Sequence, residues 1–166
     1  MFIYKKLNKL TAFIISVIFI FITAIIGSIF TTRNIPTWYQ TINLPFLVPP
    51  SFIFPIVWNI LFILMIISFY IILKTYNKNK SFIDLRKSAI NFFIIQLILN
   101  FLWVILFFEF NFLFISLIEI VILEVFIILT INKFSYINRT ASRLLLPYVL
   151  WIFFAMILNF LVFLLN

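Results

Sequence analysis

The chain has 166 residues, 66% of them hydrophobic and 21% aromatic, with a mean hydropathy of +1.30 and a net charge of +8. A soluble domain of this size cannot hide that much apolar surface, so hydrocarbon is its natural solvent. With neither Cys nor His, it has no disulfide, no thiol redox chemistry and no zinc-finger-type metal site, and it lacks the commonest general base and metal ligand. No bound metal is expected. The heavy use of Ile, Phe, Asn and Lys reads as the translation of an AT-rich genome, so Phe and Asn carry no information by number alone.

Five apolar runs, near residues 10–30, 51–73, 89–108, 112–131 and 144–165, reach the roughly 20 residues needed to cross a hydrocarbon core of about 30 Å. Backbone polar groups find no water there, so each run must be helical. The first run follows Lys5, Lys6 and Lys9 in the manner of a signal peptide. It is too long for a signal's apolar core, and no small-residue cleavage site follows, so it is read as helix 1. The second stretch, 31–50, holds Pro36, Pro45, Pro49 and Pro50 around Trp38-Tyr39. Each Pro removes a backbone donor and constrains the residue before it, so this segment is a loop, at the membrane surface or folded over something. Residues 74–87 are the only polar linker and are too short for a domain. The expected fold is an all-α integral membrane protein, a single five-transmembrane-helix bundle over 1–166.

Five helices put the N-terminus, the 2–3 linker and the 4–5 linker on one side, with Lys5, Lys6, Lys9, Lys74, Lys78, Lys80, Arg86, Lys87, Lys133, Arg139 and Arg143. The other side has only Arg33. The positive-inside rule then makes the N-terminus cytoplasmic and the C-terminus external, and helical spans with this asymmetry suit a bacterial inner membrane. The positive charge reports topology and contact with anionic membrane lipid. No soluble basic face exists, so nucleic acid is not a partner. An odd number of spans without internal repeat argues against a simple inverted-repeat transporter.

Within the spans, Gln96, Asn100, Trp103 and Phe107 follow at spacings of 4, 3 and 4 and share a helix face. Such a face either ties helices together by hydrogen bonds or lines a ligand cavity. Helix 4 carries Glu119 and Glu124. A carboxyl at this depth normally faces the bundle, and Glu119 is expected to be protonated or hydrogen-bonded to Asn, Ser or Tyr. Glu124 lies about 140° further round the helix, so the two do not form a paired-carboxylate site. Glu109 falls in the 3–4 turn and is expected to be solvated. Trp58, Phe62, Met65 and Phe69 form a stripe on helix 2, and Tyr148, Trp151 and Ala155 share a face of helix 5, with Asn159 a turn on. Aromatic stripes are usually core or lipid-facing. Trp is more telling, because the chain has only four. Interfacial anchoring suits Trp38 and is an option for Trp151, whereas Trp58 and Trp103 lie deeper, where an indole N–H wants a partner.

In order along the chain, Gly27-Ser28, Trp38-Tyr39, Pro45, Pro49-Pro50, Phe54, Val57-Trp58, Phe62, Gln96, Asn100-Phe101-Leu102-Trp103, Phe107-Phe108, Glu119, Arg143-Leu144-Leu145, Pro147-Tyr148, Trp151, Phe154-Ala155 and Leu158-Asn159 resemble the TspO/MBR family of tryptophan-rich sensory proteins. That resemblance implies a five-helix bundle, commonly dimeric, acting as a receptor or sensor that binds porphyrins such as protoporphyrin IX and moves them or regulates their level. Other flat apolar molecules would suit the same pocket. Carried onto this chain, the pocket holds Trp58, Phe62, Asn100, Trp103, Phe107, Tyr148, Trp151 and Ala155, under a lid with Trp38, Pro49 and Pro50. Some bacterial relatives are described as degrading porphyrin in light with tryptophans like Trp58 and Trp151, so an enzymatic reading stands as the alternative, beside a structural subunit without ligand and a proton-coupled exporter resting on Glu119. No obligatory cofactor is implied; without His, metal-free porphyrin suits the chain better than haem. The family often has Lys before the loop proline and Trp two residues after it; here these are Leu44 and Leu47. The Tyr-Arg sterol motif at the end of helix 5 is absent.

Overall fold

The computed structural model describes residues 6–166; Lys5, counted above among the basic residues, lies outside them. Among the described residues, six α-helices make five spans: α1 (Lys9–Asn34), α2 (Ile53–Lys74), α3 (Lys80–Val104) running on through a π turn at Ile105–Glu109, α4 (Leu113–Ser135), and α5 (Arg139–Leu144) continued by α6 (Leu146–Leu165). All five are long and apolar enough to cross a membrane. Going round the bundle, α2 packs on α1, α1 on α3, α3 on α4, α4 on α5 and α6, and α5 back on α2. The spans therefore close in the order 1, 2, 5, 4, 3. The core runs through Met65, Phe69, Phe93, Ile120, Leu123 and Tyr148, all buried.

Several boundaries differ from the sequence reading, each for a local reason. Helix 1 continues to Asn34, because Thr31 and Asn34 bond back to the carbonyls of Gly27 and Phe30. Ile35 keeps a helical φ/ψ and bonds the Thr31 carbonyl, and the ladder stops at Pro36, which has no N–H to continue it, so the loop is 35–52. Helix 3 starts at Lys80, nine residues before the apolar run. The Asn79 side chain accepts from the Ser81 N–H and caps it. The linker shrinks to 75–79, and Arg86 is a helical residue buried to 1% exposure, with Nε on the Ile72 carbonyl (3.1 Å) and Nη2 on the Leu73 carbonyl (2.6 Å). It satisfies acceptors in the last turn of α2 that no intrahelical donor reaches. Span 5 starts at Arg139, capped by Asn138, and breaks at Leu145, where Pro147 has no N–H for the Arg143 carbonyl.

At the opposite end, Phe110 donates to the Ile105 carbonyl in the π turn, and Asn111 takes a left-handed φ of 57°, which Asn tolerates. Glu109 is not simply solvated. Its Oε2 accepts from Asn34 Nδ2 at 2.9 Å and its Oε1 lies 3.5 Å from Arg33 Nη1, joining the end of α1 to the 3–4 turn.

Candidate functional site

The residues singled out in the sequence gather into two connected groups. The first lies between α2 and α6. The close-packed neighbours of α2 are α1 and α5; towards the loop end, α2 and α6 meet through large rings. Phe54 lies 5.8 Å from Trp151 and Trp58 lies 6.5 Å from Tyr148, centroid to centroid. Trp58 also lies 5.3 Å from Phe62, and Trp151 5.6 Å from Phe154. Trp58, Phe62, Trp151 and Ala155 are half-buried and pack on the core from this side. Neither Trp58 nor Trp151 has an acceptor for its indole N–H among the described residues.

Behind this aromatic wall lies a polar junction of α3 and α6. Asn100 Nδ2 donates to the Tyr148 hydroxyl (3.0 Å), which donates on to Gln96 Oε1 (2.9 Å). All three residues are buried. Asn100 therefore ties helices together, and it does so directly behind Trp58. Gln96 Nε2 is left without a partner, as are both carboxyl oxygens of Glu119 and one of Glu124 across on α4. The expected hydrogen bond from Asn, Ser or Tyr to Glu119 is not made. Orphaned buried polar atoms of this kind call for water or a ligand group.

The second group caps the loop end. Trp103 stacks on Phe107 (5.3 Å, 22°), and its Nε1 donates to Asn159 Oδ1 at 2.9 Å. Trp38 packs edge-on against Phe107 at 5.6 Å, and Tyr39 lies 5.7 Å from Phe108. Burial holds the Tyr39 phenol above its ordinary pKa. Trp38 thus sits on the end of span 3, and no ring of Trp58 or Trp151 is among its aromatic neighbours. Pro49 is half-buried and Pro50 exposed, and the Pro50 carbonyl accepts from the Ile53 N–H to start α2. One contact had no sequence signal: Asn43 in the loop and Asn166 beyond the end of α6 exchange two hydrogen bonds of 2.9 and 3.1 Å, and Asn43 Nδ2 donates to the Leu165 carbonyl at 3.2 Å. A groove of about 230 Å³ between α1 and α3, lined by Phe19, Ile94 and Phe101 among others, contains none of the pocket or lid residues carried over from the resemblance.

Two half-buried indoles thus stand at an α2–α6 seam, with a buried amide–phenol network behind them. A sequence model of the TspO/MBR family matches residues 15–165. The chain belongs to the TspO/MBR family. It is 41% identical over 158 residues to the Tryptophan-rich protein TspO of Archaeoglobus fulgidus, covering 95% of this chain and 97% of that one. The like-named protein of Chlorobaculum tepidum is 38% identical over 84% of this chain and 86% of its own. Protein CrtK of Rhodobacter capsulatus is 31% identical, with 84% and 83% covered. Five apolar spans and family membership make this TspO/MBR protein an integral membrane protein.

Proposed function

We propose that the protein is a membrane receptor or sensor for porphyrins of the protoporphyrin IX type, held at the α2–α6 seam and moved or monitored there. The observation that carries this reading is the pair Trp58 and Trp151: half-buried, uncommitted at their N–H groups, and set where two spans meet through rings. A large flat apolar ligand can replace ring–ring contact there without breaking backbone packing. Gln96 Nε2 offers a donor for an acidic substituent. Eleven of twelve Lys and Arg residues on the N-terminal side support a cytoplasmic N-terminus in an inner membrane, and the family resemblance supports a homodimer.

The test is titration of the purified protein with protoporphyrin IX, followed by quenching of Trp fluorescence. Each ring contact is worth about 1 kcal/mol beyond its buried area. The Trp58→Ala, Trp151→Ala double variant should therefore bind ten- to a hundredfold more weakly, while retaining its helical circular dichroism. Unchanged affinity would remove this pocket from consideration.

A second reading is favoured by the 6.5 Å Trp58–Tyr148 approach, which places an oxidisable phenol beside an indole. In it, bound porphyrin is broken down by light and oxygen, with Trp58 or Trp151 as electron donor. Illumination of the complex decides it. Porphyrin absorbance should decay faster with the wild-type protein than with the Trp58→Phe, Trp151→Phe variant, and equal rates would exclude a role for the protein.

A further inference from the structure

The loop 35–52 contains no Asp, Glu, Lys or Arg. Its inward groups are all engaged: Trp38 and Tyr39 on Phe107 and Phe108, Pro45 buried, Asn43 on the end of α6. What it turns outward is apolar. Phe46 is 94% exposed, Phe52 63%, Leu47 42% and Leu44 40%. Phe46 and Leu47 are the two central residues of a β-turn closed by the Val48 N–H on the Pro45 carbonyl at 3.1 Å. Turn tips in water favour Gly, Asn, Asp and Ser. This one presents two large apolar side chains, both exposed. A second turn, closed by the Ile53 N–H on the Pro50 carbonyl at 2.9 Å, does the same with Phe52. The prolines fix φ along the segment, so the tip is held out rather than free to fold back.

We propose that this loop is a membrane-docking surface: Leu44, Phe46, Leu47 and Phe52 enter the headgroup–acyl boundary of the leaflet at that end of the bundle. The occupant is lipid, because the patch runs without a charged break into Ile56, Ile60 and Ile63, exposed on α2, a face that meets hydrocarbon in any spanning arrangement. Apolar side chains on an uncharged backbone segment are what that boundary accepts. The loop then lies on the bilayer beside the bundle mouth, with its polar Gln40, Thr41 and Asn43 at headgroup level.

The absence of Cys from the chain makes the test direct. Phe46→Cys carrying an NBD fluorophore is reconstituted as full-length protein in phosphatidylcholine–phosphatidylglycerol vesicles, with Lys78→Cys as the water-exposed reference. The Phe46 label should emit at shorter wavelength than the reference. It should be quenched several-fold more by lipid bearing a headgroup-proximal nitroxide than by aqueous iodide. Because Phe46 makes almost no contact with the bundle, its replacement leaves packing intact; Leu47→Cys provides an independent second reading. Emission and iodide access equal to the Lys78 label would overturn the proposal. Protection that disappears when the protein is diluted in lipid would also overturn it, assigning the patch to a second copy of the chain.

Discussion

Replacing Tyr148 by Phe deletes one oxygen and nothing else, and it probes the polar junction behind the seam. The hydroxyl is in a residue 1% exposed and holds two bonds, from Asn100 Nδ2 at 3.0 Å and to Gln96 Oε1 at 2.9 Å. Gln96 already has one unpartnered atom, so the variant strands further polar groups on residues 4% and 1% exposed. Interhelical hydrogen bonds in bilayers average about 0.6 kcal/mol and reach about 1.7, so the two together are worth about 1–3.5 kcal/mol. At about 2–4 °C per kcal/mol for a chain of this length, the melting temperature should fall by about 2–14 °C. Thermal unfolding in nanodiscs, followed by circular dichroism and Trp emission, measures it. The ring stays, so its contact with Trp58 and the low-temperature emission spectrum should be unchanged. Two results would refute the reasoning: a melting temperature equal to wild type, or a Tyr148→Phe, Asn100→Leu double variant whose loss equals the sum of the singles, since bonded partners must couple.

Three further outcomes follow from single side chains. Arg86→Met should lower stability by about 3 kcal/mol or more, because it uncovers the Ile72 and Leu73 carbonyls. Arg86→Lys should restore only part, lacking the planar fork; an Arg86→Met variant as stable as wild type in detergent unfolding would show that the cap is idle. Glu119→Leu should raise the melting temperature, because both carboxyl oxygens are buried without a partner and a mid-span carboxyl costs about 2.5–3.5 kcal/mol on insertion scales; a fall would reveal a partner. Tyr39 has its phenol pushed above the ordinary value of 10.0 by burial. Its neutral form contributes stability that is fully present below the unfolded pKa and lost as pH rises through the folded one. Melting temperatures measured across an alkaline titration followed at the phenolate absorbance should fall as Tyr39 ionises, and should fall less in Tyr39→Phe.

The spans and the family were legible because apolar runs are long and the Trp and Pro positions are sparse against an Ile-Phe-Leu background. What escaped was set by hydrogen bonds rather than by hydropathy. A window average cannot see that Asn79 caps a helix whose first turn is Lys80-Ser81, nor that Arg86 turns inward to the carbonyls of another helix. The sequence reading places Arg86 in the polar 2–3 linker for that reason. The Pro147 break was visible in principle, since a helix-interior Pro lacks the donor for the residue four before it. The Asn43–Asn166 exchange and the Arg33–Glu109–Asn34 link join residues far apart in sequence, and no local signal marks either. The candidate site residues could be named from the sequence as a list, but their division into a seam group and a loop-end group came only from the packing.

That division separates the in-span tryptophans by what the indole N–H does. Trp103 donates to Asn159 at 2.9 Å, and Asn159 donates on to the Leu113 carbonyl at 3.2 Å, so the ring anchors spans 3, 4 and 5 at the loop end. Trp58 and Trp151 have no such bond among the described residues and stand at the seam. An indole placed for packing and one left available for a ligand must respond oppositely to Trp→Phe, which keeps an aromatic face and removes the donor. Trp103→Phe should cost about 1 kcal/mol of stability through the lost bond and the stranded Asn159, with porphyrin affinity little changed. Trp58→Phe should leave stability alone and weaken porphyrin quenching. If the two variants lose stability equally, the N–H commitments do not distinguish structure from function here, and the seam has no better claim to the ligand than the loop-end cluster.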